Sequence, residues 1–127
     1  MTEQAAEAVE RQPLQAPSGR MADEVRDVLA GLLPTLTMLR DSIEVITVEF
    51  ARRGAVWRAL GELASAASIP RDWKKIHGAD GWWERRLSDG RDNTGRIYAR
   101  RGGGSAWQVL ISHKAEQNRD IAWLDRH

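Results

Sequence analysis

Apolar residues recur at two spacings along this chain, and each change of spacing marks an element. Met21, Val25, Val28, Leu29, Leu32 and Leu33 fall mostly three or four apart, so they share one face of a helix whose other side carries Asp23, Glu24 and Asp27. Pro34 interrupts this pattern, which resumes through Leu36, Met38 and Leu39. Residues 43–50 (IEVITVEF) are β-branched and apolar and predict a strand, closed by Arg52, Arg53 and Gly54. Helical spacing returns over residues 55–67 at Val56, Leu60, Leu63 and Ala67, with Trp57 on a flank and Gly61 weakening the helix. Pro70 stops it, because the residue before a proline is pushed out of the α region.

Three short runs follow, over residues 82–88, 95–101 and 106–112. They are separated by the turn clusters 89–94 (DGRDNT) and 102–105 (GGGS). Apolar runs bounded by Gly, Asn and Asp predict hairpins, and three in succession predict an antiparallel meander that needs a packed helix to be stable. Residues 114–125 can close the chain as a helix that packs Ile121, Trp123 and Leu124. Residues 1–20 are polar, contain Pro13, Pro17 and Gly19, and are expected to be disordered. The expected organisation is therefore α+β. A disordered segment (1–20) and an amphipathic helical extension (21–41) precede a domain over 42–127 with the order β-α(α)-βββ-α, an antiparallel sheet packed on helices.

Composition narrows the function classes. The 127 residues contain no cysteine, so disulfides, thiolate metal sites and cysteine nucleophiles are excluded. No apolar run approaches the roughly 20 residues that span a bilayer, and the acidic start MTEQAAEAVERQ lacks a signal-peptide pattern. A cytoplasmic protein without a membrane partner is expected. The net charge of +1 hides a division: residues 52–114 hold 13 Lys/Arg against 6 Asp/Glu, net +7, whereas residues 1–51 hold 4 Arg against 9 Asp/Glu, net −5. Positive charge concentrated on the predicted strands suggests a polyanion. The alternative is that arginine, at 16 against 3 lysines, merely solubilises this chain.

The stretch KKIHGADGWWERRLSDG resembles the RelE/HigB-type toxins of toxin–antitoxin systems, including phage-derived relatives. In those proteins a Lys-rich segment turns through Gly into Gly-aromatic-Trp-Glu-x-Arg. Gly81, Trp82, Trp83, Glu84 and Arg86 match that pattern here, Arg96-Ile97-Tyr98 matches the Arg before Tyr of the next strand, and Val109, Leu110, Ile111 and Lys114 match the last strand and tail. The resemblance covers roughly residues 43–124. The triglycine linker and the Lys-poor tail, with Ala115 at the second Lys position, depart from it. It implies a RelE-like sheet and an endoribonuclease that cleaves mRNA, ribosome-associated, by metal-independent attack of the ribose 2′-OH. It also implies a cognate antitoxin partner, of helix-turn-helix type in some systems, and an origin on a phage or mobile element.

Such a reaction must stabilise charge on the phosphorane and move two protons. Arg86 and Arg96 are the candidates for the first task, since a guanidinium meets phosphate oxygens bidentately. Tyr98 and His113 are candidates for the proton transfers, with Tyr98 alternatively a base-stacking platform. Lys74, Lys75, His77, Arg85, Arg100, Arg101 and Lys114 are candidate RNA-binding residues. Each has a structural alternative: surface ion pairs for the arginines, packing for Tyr98, a loop position for the histidines. Trp57, Trp83 and Trp123 are expected in the core, and adjacent Trp82 and Trp83 must face opposite sides of their strand. No metal or cofactor is expected, because the histidines are scattered and neither GxxxxGK[ST] nor GxGxxG spacing occurs. Two further readings stay open: a non-catalytic binding or regulatory protein of the same fold, with nucleic acid, gyrase or a host protein as partner, and a small phage or mobile-element protein that binds a host protein and whose charges only solubilise it. The acidic helix is also expected to fold over the basic face and mask it.

Overall fold

The computed structural model describes residues 21–32, 35–50, 54–102 and 106–127. The expectations for residues 1–20, Leu33, Pro34, Arg52, Arg53 and residues 103–105 of the glycine-rich linker lie outside them. Within the described residues the fold is mixed α+β, with four α-helices and an open five-stranded sheet. In chain order the elements are α1 (Met21–Leu32), β1 (Leu36–Met38) and α2 (Ser42–Val45), which runs into a π-helical turn (Ile46–Phe50). Then come α3 (Gly54–Ser65), β2 (Lys74–Lys75), β3 (Trp83–Asp89), β4 (Asp92–Arg101) and β5 (Trp107–His113). A 3₁₀ turn (Lys114–Glu116) and α4 (Gln117–Asp125) end the chain. The spatial order is β1-β5-β4-β3-β2, with β1 parallel to β5 and the other pairs antiparallel.

The meander forms as expected, but two predicted elements change type. Residues 43–50 are helical rather than a strand. A strand would place Ile46, Val48 and Phe50 on one side; instead Ile46 and Phe50 are buried while Val48 is 79% exposed. That is the four-residue spacing of a helix, and burial on one face outweighs the β-branched preference of the segment. Residues 36–38, expected to continue the first helix, form β1 instead. Leu36 pairs with Trp107 and Met38 with Val109, and the alternation of buried Leu36 with exposed Thr37 has the two-residue period of a strand. The first strand of the sheet is therefore β1, from within the segment expected to be a helical extension.

The sheet divides the core in two. Leu87, Ile97, Ala99, Val109 and Ile111 face α1, the π turn and α3, where Val25, Leu29, Ile46, Phe50, Trp57, Leu60 and Leu63 meet them. The other face carries Trp82, Tyr98 and Leu110, covered by Leu124 of α4 with Ile121 and Trp123 alongside. Trp82 and Trp83 do part company across the sheet: Trp82 is buried in the second cluster and Trp83 packs on the first. Trp57 is fully buried, whereas Trp123 is only half-buried and stacks on His127 at 4.1 Å. The hairpin between β3 and β4 turns on Gly90-Arg91, with Gly90 at φ +62°, a conformation glycine adopts at little cost.

Candidate polyanion-binding cleft

The local chain path explains where the cations gather. After Pro70 the segment anchors itself on both faces of the sheet, Trp73 in the first cluster and Ile76 in the second. Lys74 and Lys75, between these anchors, stay exposed and pair as β2 with Glu84 and Trp83. β2 ends there, so among the described residues no strand covers β3 beyond Glu84, and that stretch is an open sheet edge. On the far side, the Ala55 amide at the start of α3 donates to Asp89 Oδ1 at 2.9 Å, which ties the helix to the end of β3 and brings Arg58 over that edge. The result is a cleft of about 560 Å³. Its charged lining is Arg58, Lys74, Lys75, His77, Arg85 and Arg86 against Asp72 and Glu84.

Two of the arginines are already engaged. Arg85 pairs with Glu62 of α3, and Arg58 lies 3.9 Å from Asp89. Glu84 is neutralised from beneath: Gln117 donates to both of its carboxylate oxygens, at 3.1 and 2.9 Å, and Arg96 Nε lies 3.5 Å away. Lys74, Lys75, His77 and Arg86 have no hydrogen-bond or ion-pair partner among the described residues and are exposed. The cleft therefore presents unpaired positive charge to solvent.

The candidate catalytic residues are not brought together. Arg86 sits in the cleft, and Arg96 pairs with it across β3 and β4 on the same face. Arg96 is only 2% exposed, however, and its Nη1 donates to Gly95 O at 2.7 Å and to Asn93 O at 3.2 Å. Tyr98 is fully buried beneath α4. Burial is the main cause that pushes its phenol well up from the ordinary value, helped by the Glu84 and Asp120 carboxylates and opposed in part by Arg96 and Arg40. His113 lies on the opposite face of the sheet, 5.5 Å from the Phe50 ring and 3.9 Å from Glu49. No single phosphate can touch all four.

The candidate RNA-binding residues also divide. Lys74, Lys75, His77 and Arg85 line the cleft, but Arg100, Arg101 and Lys114 do not. Arg100 donates through Nε and Nη2 to Gln108 Oε1, at 3.0 and 2.8 Å, and covers the Trp82 ring at 4.4 Å. Arg101 lies over Trp107 on the other face, at 5.0 Å. Lys114 is exposed on the 3₁₀ turn. Nor does the sheet expose aromatics beside its arginines: among the described residues the exposed large apolar side chains are Ile43 and Val48. Helix α1 packs on the first core cluster through Val25 and Leu29 and contributes nothing to the cleft lining, contrary to the expected masking. Sequence reasoning missed Arg58. Its place opposite Val56 and Leu60 marks it as solvent-facing, but its proximity to β3 follows only from the packing of α3.

The Tyr98 environment makes a pH prediction. A phenol raised on folding leaves stability intact below the unfolded value of 10.0 and removes it as pH climbs above that value, because the unfolded chain then releases a proton the folded one retains. Chemical denaturation should show stability falling on the alkaline side of 10, and Tyr98→Phe should flatten that limb. At neutral pH the same substitution should change stability by less than about 1 kcal/mol, since the hydroxyl has no partner to lose.

Among the described residues no group of three or more His, Cys, Asp or Glu side chains is arranged to hold a metal ion, and no helix is long and apolar enough to cross a membrane. Comparison of the chain with protein families, with curated proteins and with solved structures found no match.

Proposed function

We propose that this protein binds the sugar–phosphate backbone of RNA in the cleft at the open edge of β3, as a binding module rather than a nuclease. The observation that carries this reading is the set of exposed, unpaired cations, Lys74, Lys75 and Arg86, converging on one concavity. It retains the binding half of what the RelE/HigB resemblance implies. The cleavage half has less support, because Arg96 and Tyr98 are buried and His113 faces away. Among the described residues no Trp, Tyr or Phe ring is exposed and His77 is the one aromatic ring in the cleft lining, so binding rests mainly on charge and depends little on base identity.

The test is fluorescence anisotropy of a labelled single-stranded RNA across a salt series. Three neutralised phosphates imply a slope of about −2 in log affinity against log salt. Arg86→Ala should reduce its magnitude by somewhat under 1, equally for RNAs of different sequence. The RNA should remain intact throughout. Cleavage abolished by Arg86→Ala would bring back the endoribonuclease reading, and absence of salt-sensitive binding would remove the cleft as a nucleic-acid site.

A further inference from the structure

We infer that Glu62 of α3 gates the cleft: its carboxylate occupies a fourth phosphate site, on Arg85, and a nucleic-acid backbone that rounds the sheet rim displaces it. The inference rests on the proposed function and names a residue that regulates that same site.

The first observation is how the cations divide between the two faces of the sheet. Arg85 and Arg86 both line the cleft although they are consecutive in β3 and point to opposite faces. Lys74 is paired with Glu84 and shares the α4 face with Arg86, whereas Lys75 is paired with Trp83 and shares the α3 face with Arg85. The cleft therefore wraps around the rim. A strand that meets Lys74, Lys75 and Arg86 crosses from one face to the other, and its next phosphate on the α3 face falls to Arg85.

The second observation is how Arg85 is held. Its guanidinium pairs with Glu62, and among the described residues that carboxylate has no other partner. Both side chains reach solvent, Arg85 at 21% exposure and Glu62 at 38%. Asp89, which faces Arg58 in the same cleft, is different. It also accepts the Ala55 amide at the start of α3, so it stays in place when Arg58 moves away. Glu62 lies about two turns further along α3 and has no such tether. It can leave Arg85 for water.

Magnitudes decide which anion Arg85 keeps. A partly exposed ion pair favours the closed arrangement by about fivefold at most. Exchanging Glu62 for a phosphate leaves Arg85 with one anion as before, and its fork suits phosphate oxygens as well as it suits a carboxylate. The difference lies in the counterions. A neutralised phosphate frees ions condensed on the nucleic acid, and a lone carboxylate released to water rebuilds no such atmosphere. Dilute salt therefore gives Arg85 to the phosphate, and concentrated salt returns it to Glu62.

The experiment is the anisotropy salt series with single-stranded RNA on four full-length proteins: wild type, Arg85→Ala, Glu62→Gln and the double variant. At higher salt the wild type should show the three-contact slope. In dilute salt it should steepen by about 0.7, the contribution of one more phosphate on a single strand. Arg85→Ala should give a straight line without that bend. Glu62→Gln should keep the steeper slope throughout and bind about three- to fivefold more tightly at the high-salt end, the factor by which the pair holds Arg85 closed. On the Arg85→Ala background the same substitution should leave the slope unchanged. An equal gain from Glu62→Gln with and without Arg85 would make Glu62 a distant charge and overturn the inference, as would a wild-type line parallel to that of Arg85→Ala. The Arg85 Nε–Hε signal in NMR spectra of the unaltered protein supplies a reading that no misfolded variant can imitate. RNA should shift it in dilute salt. A stationary Arg85 signal beside a shifted Arg86 signal would overturn the gate and leave the proposed function standing, whereas absence of salt-sensitive binding would remove both.

Discussion

Arg40→Ala should be the most damaging single truncation outside the apolar core, with a loss of roughly 3 kcal/mol in urea unfolding at neutral pH. Arg40 stands between β1 and α2 and reaches across to α4, where Nη1 donates to Asp120 Oδ1 at 2.9 Å. Asp120 is completely buried, and among the described residues Arg40 is its ion-pair partner. Removing the guanidinium strands a carboxylate in a site with little water. It also strips the cation from over the Trp123 ring, 5.2 Å away. The expected figure sits at the low end for a broken buried pair because the Arg40 side chain is 27% exposed, so water partly replaces it.

Two companion variants test that account. Arg40 adopts φ +50°, a left-handed conformation unfavourable for a residue with a Cβ. Arg40→Gly loses the same guanidinium but relieves the backbone, so it should be less destabilising than Arg40→Ala by about 1 kcal/mol. On an Asp120→Asn background the charge is already gone, and Arg40→Ala should then cost less than about 1 kcal/mol. Equal costs on both backgrounds would show that the pair is not the origin of the loss.

Gly95→Ala should destabilise by about 1–3 kcal/mol through overpacking, and Gly95→Val by more. The backbone of β4 at this residue approaches the core so closely that an added Cβ would fall 2.8 Å from a ring carbon of Phe50 and 2.9 Å from Leu87 Cβ. Phe50 is 1% exposed and Leu87 2%, so neither can move aside without disturbing the first core cluster. Thermal unfolding of Gly95→Ala against the Phe50→Leu,Gly95→Ala double variant would check the cause. The smaller side chain should recover part of the loss if the ring is the obstacle, and none if glycine serves only chain flexibility.

Much of the fold was legible because its signals are local. The meander is announced by turn residues at 89–94 and 102–105, and α3 by apolar positions three and four apart. The errors fell on short segments that satisfy both periods. In IEVITVEF, Ile46 and Phe50 fit a helix as well as a strand, and what decides is which side the core lies on. Leu36-Thr37-Met38 is too short to declare itself and becomes a strand only because β5 offers an edge to pair with. For the site, the cationic run around β2 and β3 was readable, but Arg96 and Tyr98, on one sheet face with Arg86, end up buried, Tyr98 beneath α4.

The amino-acid order by itself determined α3, the meander β3–β5 and α4, the absence of thiol chemistry and the concentration of positive charge on the meander strands, but not the two-residue strand β2, which is not among the expected elements. Those depend on neighbours in the chain, on composition and on counting. Which cations remain unpaired, which are consumed by Glu62, Asp89 or Gln108, and that Lys74, Lys75 and Arg86 meet at an unfinished sheet edge were decided only by the tertiary structure. The reason is that a charge is spent or left free by whatever lies within a few ångströms of it, and residues distant in the chain supply those neighbours.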